Sequence, residues 1–420
     1  MSTTTPVVEA DEVAVEQHSV RDAVRGYASK VRGGDVGSLP AVLGFLVLVV
    51  FFSVMRPDTF ASLLNAANLI NQSAAVIFIA MGLVYVLLLG EIDLSAGYAA
   101  GTSAAILAVF LTRYDYPWPV AVAACLLTGV VIGLSIGLLV ARLGVPSFVV
   151  TLAGFLGLQG VMLYIIGEGG TIPVRDSTIL AIMNKNLPPV WGWVLFAVVV
   201  GGYAASILLG ARRRAAAGLP VQALSVQLLK IGALAVVIGV VTYLLNQERS
   251  VNPALTSLQG IPIIVPIALI FYVTLTFLLG RTAFGRHVYA VGGNTEAARR
   301  AGINVSRIKI TCFIICSTMA AVAGILFASR DNSVSPTTGG STTLLLAVGA
   351  AVIGGTSLFG GKGKVRDAIV GGLVVAVIAN GLPLITSRSA VQFIVTALVL
   401  LLAAVVDALS RRRAASTGRA

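Results

Sequence analysis

The sequence predicts an all-α integral membrane protein, a polytopic helical bundle of about twelve transmembrane helices with the N-terminus and C-terminus cytoplasmic. Three observations lead there. Of 420 residues, 57% are hydrophobic and only 11% charged, and the mean hydropathy is +0.96, a balance no water-soluble domain with a single core can hold. Apolar runs recur at the length a membrane demands, because a helix rising 1.5 Å per residue needs about 20 residues to cross a hydrocarbon core of about 30 Å. The cations, finally, are distributed unequally between alternate loops.

The predicted spans are 39–55, 67–89, 97–111, 119–141, 147–166, 190–210, 225–245, 261–279, 310–329, 343–358, 367–386 and 390–408. With the N-terminus inside, the inner segments hold 21 Lys and Arg against seven outside, and Lys230 is left within a span. A missed or invented span would scramble that asymmetry downstream, so the count supports both the parity and the direction of the chain. The net charge of +12 then reads as topology and attraction to anionic lipid, with no nucleic-acid role required. Residues 1–38, acidic at Glu9, Asp11, Glu12 and Glu16 and basic nearer the first span, read as a disordered cytoplasmic tail with no signal-peptide pattern. The transmembrane domain covers 39–410, and 411–420 forms a second cytoplasmic tail.

Cys125, Cys312 and Cys316 all fall within predicted spans, where small apolar packing is expected in place of a disulfide or metal site. Gly129, Gly133 and Gly137 in the fourth span, and Gly97 with Gly101 in the third, form GxxxG spacings on which helices approach closely.

The polar, basic stretch 281–309 carries six Lys and Arg between two apolar runs. Within it, GGNTEAARRAGINV places a short helix at 295–301, with Asn294 as its N-cap and Gly302 as its stop. That helix is small at Ala297, Ala298 and Ala301 and charged at Glu296, Arg299 and Arg300. It suits a partner's groove, where small residues permit close approach and charges make hydrogen bonds across the contact.

This segment resembles the coupling loop of membrane subunits in bacterial ATP-binding-cassette importers, in the branch that carries ribose, galactose and xylose. Three further segments agree: GEIDLSAG at 90–97, VPSFVVTLAGFLGLQG at 145–160 and AVIGGTSLFGGKG at 351–363. The resemblance extends over about residues 66–386. Residues of about 200–255 look like an inserted helical hairpin, and with Glu91 this longer form is similar to the xylose permeases. An insertion of two spans preserves parity, so 281–309 stays cytoplasmic.

The resemblance implies a multi-pass permease subunit of an ATP-driven monosaccharide importer in the bacterial inner membrane, with xylose as the expected sugar. It implies a separate ATPase subunit that binds ATP and Mg²⁺, an extracytoplasmic sugar-binding protein and a homodimer. No enzyme activity, cofactor or metal is expected in this chain. Its nearest approach to a nucleotide loop, TSLFGGKG at 356–363, has Thr356 where the first glycine is needed and Gly363 where Ser or Thr would reach Mg²⁺. Expected ATPase-coupling residues are Asn294, Glu296, Ala297, Ala298, Arg299, Arg300 and Gly302. For the sugar path, uncharged polar side chains within spans are the candidates: Asn71, Gln72, Gln159 and Asn380, each of which serves equally as an interhelical hydrogen-bonding group. Glu91 and Asp93 are expected at the cytoplasmic membrane edge, with Asp93 or Ser95 capping the third span. The competing class is an ion-coupled secondary transporter, which needs ionisable residues near mid-membrane. A membrane enzyme is the third alternative, set aside because His18 and His287 are the two histidines and no acid–base constellation appears in a span.

Overall fold

The computed structural model describes residues 38–416 apart from 251, 255 and 256. The predicted N-terminal tail therefore lies, but for Ser38, outside the described residues. Fifteen helices follow one another among them: α1 Leu39–Met55, α2 Leu63–Leu88, α3 Ala96–Thr112, α4 Trp118–Ala141, α5 Ser147–Ile166, α6 Ser177–Asn184, α7 Pro189–Ala216, α8 Leu224–Leu245, α9 Ile264–Arg281, α10 Ala283–Gly293, α11 Thr295–Arg300, α12 Val305–Asp331, α13 Ser341–Gly354, α14 Val365–Ile385 and α15 Ser389–Ser416. Each predicted span falls on one of them. Eight are long and apolar enough to cross a membrane, while α1, α3, α13 and the stretch Ser389–Val399 of α15 are shorter apolar helices. Helix α15 runs on to Ser416, so most of the predicted C-terminal tail continues a helix.

Helices α2 and α12 form the axis of the bundle, each 72% buried across its most apolar window. Lipid tails are as apolar as leucine, so close packing must hold such helices together, and small residues let backbones approach. The glycines of α4 show this directly. A Cβ at Gly129 would lie 2.6 Å from the Ser317 carbonyl oxygen, and one at Gly133 would lie 2.5 Å from that of Phe313. One at Gly137 would stand 2.8 Å from the Ile310 Cα. The predicted GxxxG face thus seats α4 on α12. Gly97 and Gly101 of α3 meet the backbone of 338–340 in the same way. Cys312 and Cys316 are fully buried in this core, and Cys125 is buried in the adjoining cluster around α3, α4 and α6.

The inserted hairpin is α7 and α8, joined through 217–223. It is peripheral, with 0% and 11% of the respective apolar windows buried. One end anchors it: Asn246 Nδ2 donates to the Pro189 carbonyl at 3.2 Å, and Leu245 packs with Ala67 and Ile261. At that end the Glu248 carboxylate accepts from the backbone N–H groups of Leu258 and Ser250, both at 2.9 Å, and from Ser257 Oγ at 2.7 Å. These bonds hold its pKa down at about 2. Arg249, nearly buried, donates to the carbonyls of Leu245 and Gly260 and closes the same loop. Nearby, β1 Ile172–Pro173 and β2 Ser333–Val334 pair antiparallel, Ile172 opposite Val334.

Candidate functional site

The polar stretch 281–309 is built from α10, α11 and the first turn of α12. The chain bends sharply after α9, where Thr282 Oγ1 accepts from the Gly285 N–H at 3.2 Å and caps α10. Only glycine fits at 285, because a Cβ there would collide with the Leu279 carbonyl. Helix α10 buries Val288 and Val291 on its inner face. Asn294 then caps α11, its Oδ1 accepting from the Ala297 N–H at 2.9 Å, and Asn304 caps α12 in the same way through Arg307 N–H at 2.9 Å. Gly302, at φ +82°, turns the chain between them in a conformation that glycine adopts without strain.

Helix α11 presents Asn294, Glu296, Ala297, Arg299, Arg300 and, beyond its end, Ala301 and Gly302 to the exterior. Glu296 accepts from Arg299 at 2.7 Å, a solvent-exposed pair worth little to stability. Ala298 departs from the expected outward face of small residues. It is 4% exposed and packs into the main core, because residue 298 lies on the opposite side of the helix from 296 and 300.

Beneath α10, the separated sequence motifs meet. The Gly361 N–H donates to the Leu88 carbonyl at 2.9 Å, joining the loop 354–363 to the end of α2. Gly292 is wedged between them: a Cβ there would strike the Leu88 carbonyl and stand 2.9 Å from the Gly361 nitrogen. Gly360, at φ +86°, faces the Gly292 carbonyl and the Gly90 nitrogen at 2.9 and 3.0 Å from its own notional Cβ. Tyr289 Oη donates to the Gly363 carbonyl at 2.7 Å. The loop is tied in turn to α14, where Asp367 Oδ2 accepts from the Lys364 N–H at 2.7 Å and from Thr356 Oγ1 at 3.3 Å.

The segment 145–160 holds the other side. Ser147 Oγ accepts from the Ile92 N–H at 3.3 Å, while Thr151 Oγ1 donates toward the Ile92 carbonyl at 3.2 Å, so α5 grips both backbone groups of one residue in the 90–97 loop. Glu91 of that loop pairs with Lys309 of α12, and both side chains are largely buried. Asp93 is wholly buried, not at a solvated edge, and it accepts from the backbone at the start of α3 while Ser95 holds the cap position itself. Its Oδ1 accepts from the Ser95 N–H at 2.9 Å and Oγ at 2.6 Å, and among the described residues its Oδ2 meets no N–H or O–H donor, with only the Cys316 thiol beside it. Ser95 occupies the cap position of α3 without a capping bond from its side chain.

The expected path residues divide. Asn380 Nδ2 donates to Gln72 Oε1 at 3.1 Å and to Asn65 Oδ1 at 2.9 Å, and Asn65 Nδ2 returns a bond to Asn380 Oδ1 at 2.8 Å. This amide cluster joins α2 to α14, and sequence reasoning missed Asn65 because it precedes the predicted span at 67. Asn71, on the same helix, keeps a buried Oδ1 without a partner. Gln159 lies half-buried on α5, apart from the cluster.

Eight helices long and apolar enough to cross a membrane, two of them deeply buried, and a polar segment tied to the ends of several others are the build of a polytopic membrane permease. The family described as branched-chain amino acid transport system / permease component matches residues 65–179 and 177–404, and the chain belongs to it. It is 33% identical over 372 residues to the xylose transport system permease protein XylH of Haemophilus influenzae, covering 89% of this chain and 96% of that one. To XylH of Escherichia coli K12 it is also 33% identical, over 89% and 92%. To the ribose import permease protein RbsC of Escherichia coli K12 it is 31% identical, over 87% and 92%. No solved structure matches it.

Proposed function

We propose that this chain is the transmembrane subunit of an ATP-driven importer that moves a monosaccharide, xylose, across the bacterial inner membrane. The observation that carries the reading is the junction beneath α10. There, 88–97, 147–151, 292 and 356–363 interlock through backbone and hydroxyl-to-backbone hydrogen bonds and glycine contacts, so a push on α10 and α11 is delivered to α2, α3, α5 and α14 together. Interlocked backbone deforms poorly, and such a push produces rigid-body helix movement.

In this reading twelve helices cross the membrane, both termini are cytoplasmic, and α11 seats in an ATPase subunit that holds ATP and Mg²⁺. Its exposed row Asn294, Glu296, Ala297, Arg299, Arg300 and Gly302 makes the contact, while Ala298 anchors the helix from behind. The permease works as a homodimer and receives sugar from an extracytoplasmic binding protein. It carries no cofactor or metal of its own. Xylose as substrate is supported by the two xylose permeases at 33% identity, against 31% for the ribose permease. The amide cluster of Asn65, Gln72 and Asn380 supplies donors and acceptors without fixed charge, as hydroxyl groups require, and lies on the sugar path with Asn71 and Gln159.

The test is xylose uptake by proteoliposomes containing this chain, its ATPase and its binding protein. Glu296→Lys and Gly302→Asp should abolish uptake and ATPase association while the chain still inserts and purifies normally. Full sugar-stimulated ATP hydrolysis in the double variant would sink the assignment of α11 as the contact.

A further inference from the structure

A cleft of about 650 Å³ opens between α4 and the start of α12, directly beside the coupling segment. Arg142 and Arg307 line its polar end; Leu134, Leu138 and Ile310 line the apolar remainder. None of its lining side chains is acidic. Among the described residues neither arginine forms an ion pair or a side-chain hydrogen bond, whereas neighbouring Lys309 and Arg299 are taken by Glu91 and Glu296. The hydroxyls are already spent: Ser306 Oγ donates to the Ala141 carbonyl at 3.0 Å and Thr311 Oγ1 to that of Arg307 at 2.8 Å. What remains to be satisfied is two exposed guanidiniums, whose planar donor sets match phosphate oxygens.

We propose that this cleft binds an anionic phospholipid, its phosphate held by Arg142 and Arg307 and an acyl chain lying along α4. The apolar wall selects a lipid over a free phosphate. Leu138 and Leu134 stand one and two turns back from Arg142 on α4, about 6 and 12 Å along the helix axis, and both are more than a third exposed on a span with its apolar face to the bilayer. A headgroup at the arginines therefore leaves the chain in hydrocarbon. Basic pockets between spans at a membrane face suit such headgroups. The occupant would brace the end of α4 against the first turn of α12, next to Asn304 and Gly302, and so stiffen the mount of α11. That regulatory consequence rests on the coupling reading above; the binding site itself does not.

The experiment uses the full chain alone, in phosphatidylcholine vesicles doped with phosphatidylglycerol bearing a photoactivatable acyl chain, followed by peptide mapping. Label should concentrate on 134–142 and 304–311, about tenfold above a phosphatidylcholine probe of the same chain. Near an anionic surface each cation is worth about fivefold in affinity, so Arg142→Gln with Arg307→Gln should cut labelling about twenty-fivefold, while the paired Lys variants should keep most of it. Equal labelling by the two probes, or unchanged labelling in the Gln variant, overturns the proposal. Loss of label on adding inorganic phosphate overturns it too, in favour of a free-phosphate site. Because neither ATPase nor transport enters the assay, failure here is separable from failure of the coupling reading.

Discussion

Glu91 and Lys309 stand 218 positions apart in the chain, yet their pairing fixes the loop after α2 to the axial helix α12. With side chains 15% and 19% exposed, the pair is shielded enough that removing one partner leaves an uncompensated charge. A fully buried charge stranded in this way costs about 3–5 kcal/mol; with the residual exposure, about 2 kcal/mol is expected here. Glu91→Gln should therefore lower the thermal midpoint of the detergent-solubilised chain, and Glu91→Gln with Lys309→Gln should recover most of the loss. If the double variant loses the sum of the singles, the pair is not energetically coupled. No single sequence announces such a pair. The caps, by contrast, were legible from local chemistry: Asn294 caps the start of α11 and Gly302 takes the positive φ that a stop requires. The inward turn of Ala298 was not, because small residues look alike on either face of a six-residue helix.

At the scale of elements, spans were readable because hydropathy and length are local properties, and all twelve windows fall on helices. Helix α10 escaped the reading. Its eleven residues are amphipathic, and the bend at Thr282 that starts it depends on Gly285 meeting the Leu279 carbonyl. The convergence of the four motif segments was equally hidden, since glycine-to-backbone contacts such as Gly292 with Leu88 leave no pattern beyond the glycines themselves. The hairpin α7–α8 was legible in outline, and its topology can be tested. Ala216 follows the triple-arginine run at one end, and Asn252 lies in the loop organised by Glu248 at the other; both are exposed. Single cysteines at these two positions, in a background without Cys125, Cys312 and Cys316, should react with an impermeant thiol reagent from opposite sides of the membrane. Reaction of both from one side would mean that the hairpin does not cross as drawn, and would reverse or unsettle everything that follows it in the orientation.

For the whole molecule, the question is what energy drives it, and Asp93 is where the two answers divide. A buried carboxylate with an unpartnered oxygen is what an ion-coupled carrier would need. Its position argues otherwise: it belongs to the junction at the ends of α2 and α3, one residue from the Ile92 gripped by α5, and its other oxygen is committed to Ser95. A coupling site is expected near the midplane, on a broken helix that alternates between two sides; this one is built into the interlocked junction beneath α10. Uptake in proteoliposomes with ATPase and binding protein should consequently stop when ATP is withdrawn and stay nearly unchanged with a protonophore. Asp93→Asn keeps the shape and an oxygen for Ser95, so it should lower uptake no more than the accompanying loss of stability explains. Uptake of ribose in place of xylose would change the substrate and leave this mechanism standing. Gradient-driven uptake by the chain alone, abolished by Asp93→Asn, would make Asp93 the coupling site and the junction merely its scaffold.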